Sequence, residues 1–201
     1  MPELFVGPDG RLRCHWCGGA PEFLPYHDTE WGFPQPGDRP LFEKLCLEGF
    51  QSGLSWRTIL AKRENFRRAF HGFDIDRVAS FTPADVERLL QDSGIVRHRG
   101  KIEAVVHNAR CAQQMVRTEG SLAAFFRRFV PQTRADAAHG ASTSPESVAL
   151  SRELKKRGWK FVGPTTVYAF MQAMGMVNDH ASGCHVRALA EAAQRGKAVR
   201  P

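Results

Sequence analysis

Residues Leu154–Phe170 read LKKRGWKFVGPTTVYAF. A basic helix end, Lys155 to Arg157, runs into Gly158, a residue type that closes helices because it accepts a left-handed backbone. Pro164 then falls where a second helix would begin, with its φ already set and no N–H left unsatisfied. Backbone N–H groups near Gly163 and Thr165, at the positive end of that helix, suit a phosphate, and Lys160 stands beside them. The pattern over 154–170 is a helix–hairpin–helix, which holds a nucleic-acid backbone without reading bases. Two packed helices with a solvated basic end would show the same pattern, so the rest of the chain has to decide.

The flanking segments are helical too. DRPLFEKLCLEGFQSGL carries Leu41, Phe42, Leu45 and Cys46 at helical spacing. In FTPADVERLLQDSGI, Thr82 suits an N-cap, Pro83 the first helical position and Gly94 the stop. GKIEAVVHNARCAQQM puts Ile102, Val105, Val106 and Ala109 on one face, and SLAAFFRRFV is a short amphipathic helix. Ser144-Pro145 opens another helix after a polar loop, Pro131 to Ser144, and Gly175 lies near the end of the one that starts at Pro164. Few stretches alternate with period two. The expectation is one all-α domain over 1–201, with an irregular segment at 14–35 and a basic tail at 186–201, either a disordered DNA-contacting end or a final helix.

The chain has 201 residues and a net charge of +7, which favours a polyanionic partner, nucleic acid before membrane. No apolar run is long enough to span a bilayer, and MPELFVGPDGRLR has no apolar signal core. A cytoplasmic protein is expected. The cysteine count, 5, is odd, so reduced thiols and a metal site fit better than a disulfide framework.

The metal candidates are split. VNDHASGC places His180 and Cys184 four apart, on one face of a helical turn. RCHWCGGAPEFLPYHD offers Cys14, His15, Cys17 and His27. Two ligands from each end would complete a tetrahedral zinc site with no open position, a structural clip between the termini. A chance CxxC and a core histidine would present the same residues.

LEGFQSGLSW contains a carboxylate, Glu48, followed by a turn at Gly53 that carries Leu54 and Trp56. With Trp16, Tyr26 and Trp31 nearby in the N-terminal segment, these residues suit a flat, cationic ligand: rings to stack, one acid to accept hydrogen bonds. Taken alone, they fit core rings and a surface acid better. GIVRHRGKI gathers Arg97, His98, Arg99 and Lys101 around Gly100, either a second phosphate contact or a solvated face.

Six blocks, YHDTEWG, LFEKLCLEGFQSGLSW, KRENFRRAFHGFD, GIVRHRGKI, LKKRGWKFVG and VNDHASGC, together resemble the 3-methyladenine DNA glycosylase I family, in that family's order from Cys14 to Cys184. The resemblance implies an all-helical member of the helix–hairpin–helix glycosylases that acts on double-stranded DNA containing alkylated bases and releases free 3-methyladenine. It implies one structural zinc per chain, on Cys14, His27, His180 and Cys184, with Cys17 as the rival for Cys14. Glu48 would accept from the lesion base, Trp56 would stack on it, and Tyr26 and Trp16 would line the pocket. Phe23 stands where the family usually has Tyr. Leu54, beside Gly53, would be the wedge that fills the duplex once the nucleotide leaves the stack.

Many helix–hairpin–helix glycosylases carry a catalytic Asp in a VDxH pattern. Here VNDH puts Asn178 at that place and Asp179 one residue on, rotated by about 100° on a helix and so expected to point elsewhere. No Lys takes a nucleophile's position. A monofunctional, monomeric enzyme using water is the expectation.

Overall fold

The computed structural model describes residues 4–132 and 141–196. Part of the expected loop, 133–140, and the end of the tail, 197–201, lie outside the described residues. Helices dominate, as the spacing predicted, with one departure from an all-α architecture. The N-terminus begins with an antiparallel hairpin, β1 (Leu4–Val6) and β2 (Leu12–Cys14), in the register Leu4 opposite Cys14. The segment expected to be irregular continues as a 3-10 turn, His15–Gly19, and a helix, α1 (Phe23–Thr29). Tertiary burial of Tyr26 and His27 fixes α1 where propensity gave no signal.

The central helix α2 (Asp38–Gln51) is buried on its Leu41, Phe42, Leu45 and Cys46 side. A turn at 52–55 leads to α3 (Trp56–Ala61), capped by the Ser55 side chain on Thr58 N, then α4 (Arg63–Ala69) and α5 (Ile75–Ala79). Helix α6 (Pro83–Gln91) opens with the expected Thr82 cap, which Asp85 completes as a reciprocal capping box. It stops before Gly94: Asp92 ends it, and its carboxylate accepts from Gly94 N at 2.8 Å. Helix α7 (Arg99–Glu119) is the longest and buries Ile102, Val105, Val106 and Ala109 in the core. The short α8 (Leu122–Arg127) follows.

The pair that opened the sequence reading is α9 (Pro145–Lys156) and α10 (Pro164–Ala173), packed against each other. Ser144 caps α9 through a capping box, and Gly158 takes φ +86 just past its end. The last helix, α11 (Arg187–Gln194), lies inside the segment expected to be a basic tail.

One large core joins α2, α4, α5, α7, α8, α9 and α10. A second, small core of Cys14, Ala181, Cys184 and Val186, with Leu4, Trp16, Trp31 and Phe33 around it, ties the two ends of the chain together. His185 N donates to Leu12 O at 2.9 Å across this junction. The junction is tight. A Cβ on Gly175, at φ +67, would lie 2.7 Å from Gly32 O and from Pro34 N, so only glycine lets the backbones meet.

Candidate functional site

A cavity of about 390 Å³ opens between α1, α2, α3, α10 and the segment after α10. Its walls are Trp16, Phe23, Tyr26, Trp31, Trp56, Glu48, Gln51, Ala169, Gln172 and Asp179. All five base-pocket residues picked from sequence, Glu48, Trp56, Tyr26, Trp16 and Phe23, therefore meet in one place. Trp31 comes with them.

The rings form a box. Trp16 meets Phe23, Tyr26 and Trp31 edge-on at centroid separations of 5.7, 6.3 and 5.2 Å. Tyr26 and Trp56 lie tilted at 5.4 Å. Edge-to-face packing of this kind holds rings rigid and leaves faces for a planar guest. Glu48 is on the inner face of α2, 5% exposed, and its Oε1 pairs with Lys44 Nζ at 2.8 Å. Sequence reading missed Lys44. Its signal was present: it sits four residues before Glu48 and between the buried positions Leu41 and Leu45.

Asp179 overturns the expectation drawn from VNDH. It lines the cavity, where Tyr168 Oη and Gln172 Nε2 donate to its Oδ2 at 2.5 and 2.7 Å. Its Oδ1 is buried and accepts nothing among the protein groups. Asn178 faces the other way, with Oδ1 2.9 Å from His180 Nδ1 and Nδ2 donating to Arg187 O at 3.0 Å. The segment is irregular rather than helical, so a 100° step per residue does not apply to it.

Leu54 stands on the exposed turn after α2, 42% accessible, with Gly53 at φ +78 beside it. The turn is held from below by Lys101. Its buried ammonium donates to Phe50 O at 2.9 Å and to Ser52 O, capping the end of α2. The basic turn GIVRHRGKI thus divides. Lys101 is structural, His98 caps α7 through Lys101 N, and Arg99 pairs with Glu87.

Lys160 and Thr165 are exposed at the α9–α10 turn, and Gly163 is the N-cap of α10 at φ −62. That φ suits any residue, and a Cβ on Gly163 would meet nothing within 4 Å. Neither backbone strain nor internal packing requires glycine there. Asn108 on α7, another residue missed by sequence, clamps the turn: its amide accepts from Lys160 N at 2.8 Å and donates to Lys160 O at 3.0 Å.

At the junction of the chain ends, Cys14, His27 and Cys184 bring their ligand atoms within 4.8 Å of one another. Cys17 is buried but stands outside that group. Each histidine has its Nδ1 engaged: His27 with Asp28 Oδ1 at 2.8 Å, His180 with Asn178 Oδ1 at 2.9 Å. His27 Nε2 lies 3.5 Å from Cys184 Sγ, and His180 Nε2 is buried without a partner. The rings of His27 and His180 are 5.1 Å apart. Outer acceptors on Nδ1 that leave Nε2 aimed inward are the usual support of metal-binding histidines. The Cys14 thiol and then the His27 ring hold Cys184 far below the ordinary thiol range, while Cys14 is pushed up by the same sulfur–sulfur hydrogen bond. Burial raises Cys17 to about 11, and burial, then the His27 charge, lowers His180 to about 4. His180 is therefore neutral near pH 7, as a ligand must be. Cys14, His27 and Cys184 form a group that could hold a metal ion, while His180 lies outside it, its ring 5.1 Å from that of His27.

An aromatic box with two carboxylates in its wall, beside an exposed leucine turn and a glycine at a helix start, defines a helical protein with a cavity shaped for a flat ring. The methyladenine glycosylase model matches residues 16–188. DNA-3-methyladenine glycosylase 1 of Escherichia coli is 52% identical over 177 residues, covering 86% of this chain and 95% of that protein. A crystal structure of 3-methyladenine DNA glycosylase I superposes with TM-score 0.81 at 52% identity, covering 86% of this chain and 98% of the other. A variant of 3-methyladenine DNA glycosylase I in complex with 3-methyladenine gives TM-score 0.82 at 34% identity, covering 87% and 97%. The chain belongs to the methyladenine glycosylase family.

Proposed function

We propose that this protein excises 3-methyladenine from alkylated double-stranded DNA, hydrolysing the N-glycosidic bond and leaving an abasic site for base-excision repair. The observation that carries this is the cavity in which Glu48, Trp56, Tyr26, Trp16 and Phe23 converge. A related structure in complex with 3-methyladenine supports it.

The chemistry asks little of the protein. Methylation at N3 puts positive charge on the purine, so the base departs neutral once the C1′–N9 bond breaks. Flipping, stacking and recognition then do most of what is needed. Trp56 supplies a face for the extruded ring, and Glu48 accepts from its amino edge. The unpartnered Oδ1 of Asp179 is a second acceptor in the same cavity, suited to stabilising the sugar cation or orienting the attacking water. Leu54 fills the duplex from the exposed turn. The α9–α10 pair acts as a helix–hairpin–helix, holding phosphate at Gly163 and Thr165 with Lys160 near. Phe23 has no hydroxyl and contributes shape alone.

A zinc ion on Cys14, His27, His180 and Cys184 would cross-link the chain ends, with no position left for water. It would hold up the wall that carries Tyr26 and Asp179 and take no part in bond breaking. The enzyme would act as a monomer on chromosomal DNA in the cytoplasm. Among the described residues no helix is long and apolar enough to cross a membrane.

The test is base release. Purified protein is incubated with methylated duplex DNA without added metal, and freed bases are resolved by chromatography. Free 3-methyladenine, with 7-methylguanine left in the DNA, is the expected result. Binding of methylated duplex without release would make the protein a damage sensor. Activity abolished by a chelator that leaves the protein folded would point to a metal-dependent hydrolase.

A further inference from the structure

Asn108 and Lys101 are buried polar residues of α7, 4% and 8% exposed. Seven residues apart, they share one face of the helix and stand about 10 Å apart along its axis. Asn108 faces the α9–α10 turn, where its side-chain amide takes both the N–H and the C=O of Lys160, at 2.8 and 3.0 Å. Lys101 faces the end of α2, where its ammonium donates to Phe50 O at 2.9 Å and to Ser52 O. One of these turns carries the residues proposed to hold phosphate, and the other carries Leu54. A single face of α7 therefore touches both elements that would meet the duplex.

The α9–α10 turn is pinned on each side of a strained residue. Phe161 takes φ +56, a left-handed backbone that a bulky side chain keeps only where its surroundings hold it. Asn108 grips Lys160 before it, and the buried Ser151 hydroxyl donates to Val162 O at 2.7 Å after it. His107 Nε2 lies 2.8 Å from Gly158 O, a further grip from α7. Helix α2 meets the same turn directly. A Cβ on Gly49 would stand 3.3 Å from Phe161 Cβ, which gives a reason for a glycine inside a helix, where it otherwise costs stability. The space left where α2, α7 and the turn join is about 10 Å³, so the three are close-packed.

We propose that this face of α7 is a spacer that fixes the distance between the Leu54 turn and the α9–α10 turn, with Asn108 as the positioning residue at one end and Lys101 at the other. The inference rests on reading the protein as a glycosylase that extrudes its base from duplex DNA. A duplex presents its phosphates at set distances from the gap that an extruded nucleotide leaves. Phosphate grip and gap filling coincide only if the two turns keep one separation. A side-chain amide donates and accepts in one plane, so Asn108 sets the orientation of the Lys160 backbone as well as its place. Aspartate there would keep the bond from Lys160 N but set a carboxylate against Lys160 O.

The experiment measures single-turnover release of 3-methyladenine from methylated duplex over a range of enzyme concentrations, for the full-length wild type, Asn108→Asp, Lys101→Met and the double variant. Affinity for free 3-methyladenine, read by tryptophan fluorescence, and a melting curve are taken beside it. Asn108→Asp should lower the saturating rate by roughly tenfold, because a displaced positioning group costs most in the extruded state. Its half-saturating concentration and its affinity for the free base should each stay within about threefold of wild type. The double variant should lose no more than about the larger single loss, since a spacer released at one end no longer spaces. A loss confined to half-saturation would make Asn108 a local support of the phosphate grip, and single losses that multiply would make the two residues independent props. Either result overturns the spacer, as does an unchanged saturating rate or an equal loss of free-base affinity. If Asn108→Asp does not fold, Gly49→Ala takes its place: its Cβ pushes Phe161 away from α2, and it must show the same split. No release by the wild type would remove the glycosylase reading itself, and the spacer with it.

Discussion

Single residues in this pocket do different kinds of work, and their burial separates them. Among the described residues Glu48 is the one acid that lines the cavity and pairs with an internal cation. In Glu48→Gln an amide oxygen can still receive the Lys44 ammonium, so the fold should survive with a modest loss of melting temperature. What disappears is the negative charge that faces the departing base and sugar. Excision should fall roughly a hundredfold, on the scale of losing one electrostatic stabiliser. Single-turnover release from methylated duplex, measured beside a melting curve, checks this; undiminished release would take Glu48 out of the chemistry. Glu48 and Trp56 were legible in the sequence only through the family resemblance of LEGFQSGLSW, since an isolated acid usually lies on a surface and rings usually lie in a core. Asp179 was not, because which of two adjacent side chains enters a cavity depends on the φ and ψ of a turn.

At the scale of elements, the Gly53–Leu54 turn between α2 and α3 is the clearest case of one segment positioned by another. Lys101, on α7, reaches the free carbonyls at the end of α2, at Phe50 and Ser52, where a cation complements the helix end. Burial lowers its ammonium from the ordinary lysine range, and both carbonyls receive it. Lys101→Met should loosen the Gly53–Leu54 turn while leaving the aromatic box intact. The expected outcome is a split: excision from duplex drops by roughly tenfold or more, since a small misplacement of a positioning group is costly, while affinity for free 3-methyladenine stays within about twofold. Equal losses in both would show that Lys101 supports the whole core instead. The α9–α10 pair tells a similar story. Its helix starts and stops were legible from Ser144, Pro145, Gly158 and Pro164, whereas the Asn108 clamp was not, being 52 residues away in the chain.

For the whole molecule, the decisive feature is that its two ends meet. The hairpin, the 3-10 turn and α1 have little core of their own and lean on 181–186 through Cys14, Cys184 and Val186. Cys184→Ser removes a sulfur from the junction and, if the site holds zinc, a ligand as well. Bound zinc should fall from one per chain toward zero by elemental analysis, and the melting temperature should drop by at least about 5 °C, because metal affinity at such a site adds directly to folding free energy. Excision at low temperature should change less than stability does. A variant with full zinc and an unchanged melting temperature would sink the clip.

By itself the sequence determined the helical composition, the caps, the basic character and the residue types gathered for one pocket and one ligand set. Those are local properties: 3.6-residue periodicity, capping chemistry, charge and family spacing act within a few residues or repeat between relatives. Tertiary structure alone decided three things. It ordered the N-terminal segment, which packs against residues 181–186 through Cys14, Cys184 and Val186. It sent Lys101 and His98 of GIVRHRGKI to structural tasks, because α7 begins beneath the end of α2. It turned Asp179 into the cavity and Asn178 toward His180. Each depends on contacts between residues far apart in the chain, whose geometry no local rule specifies.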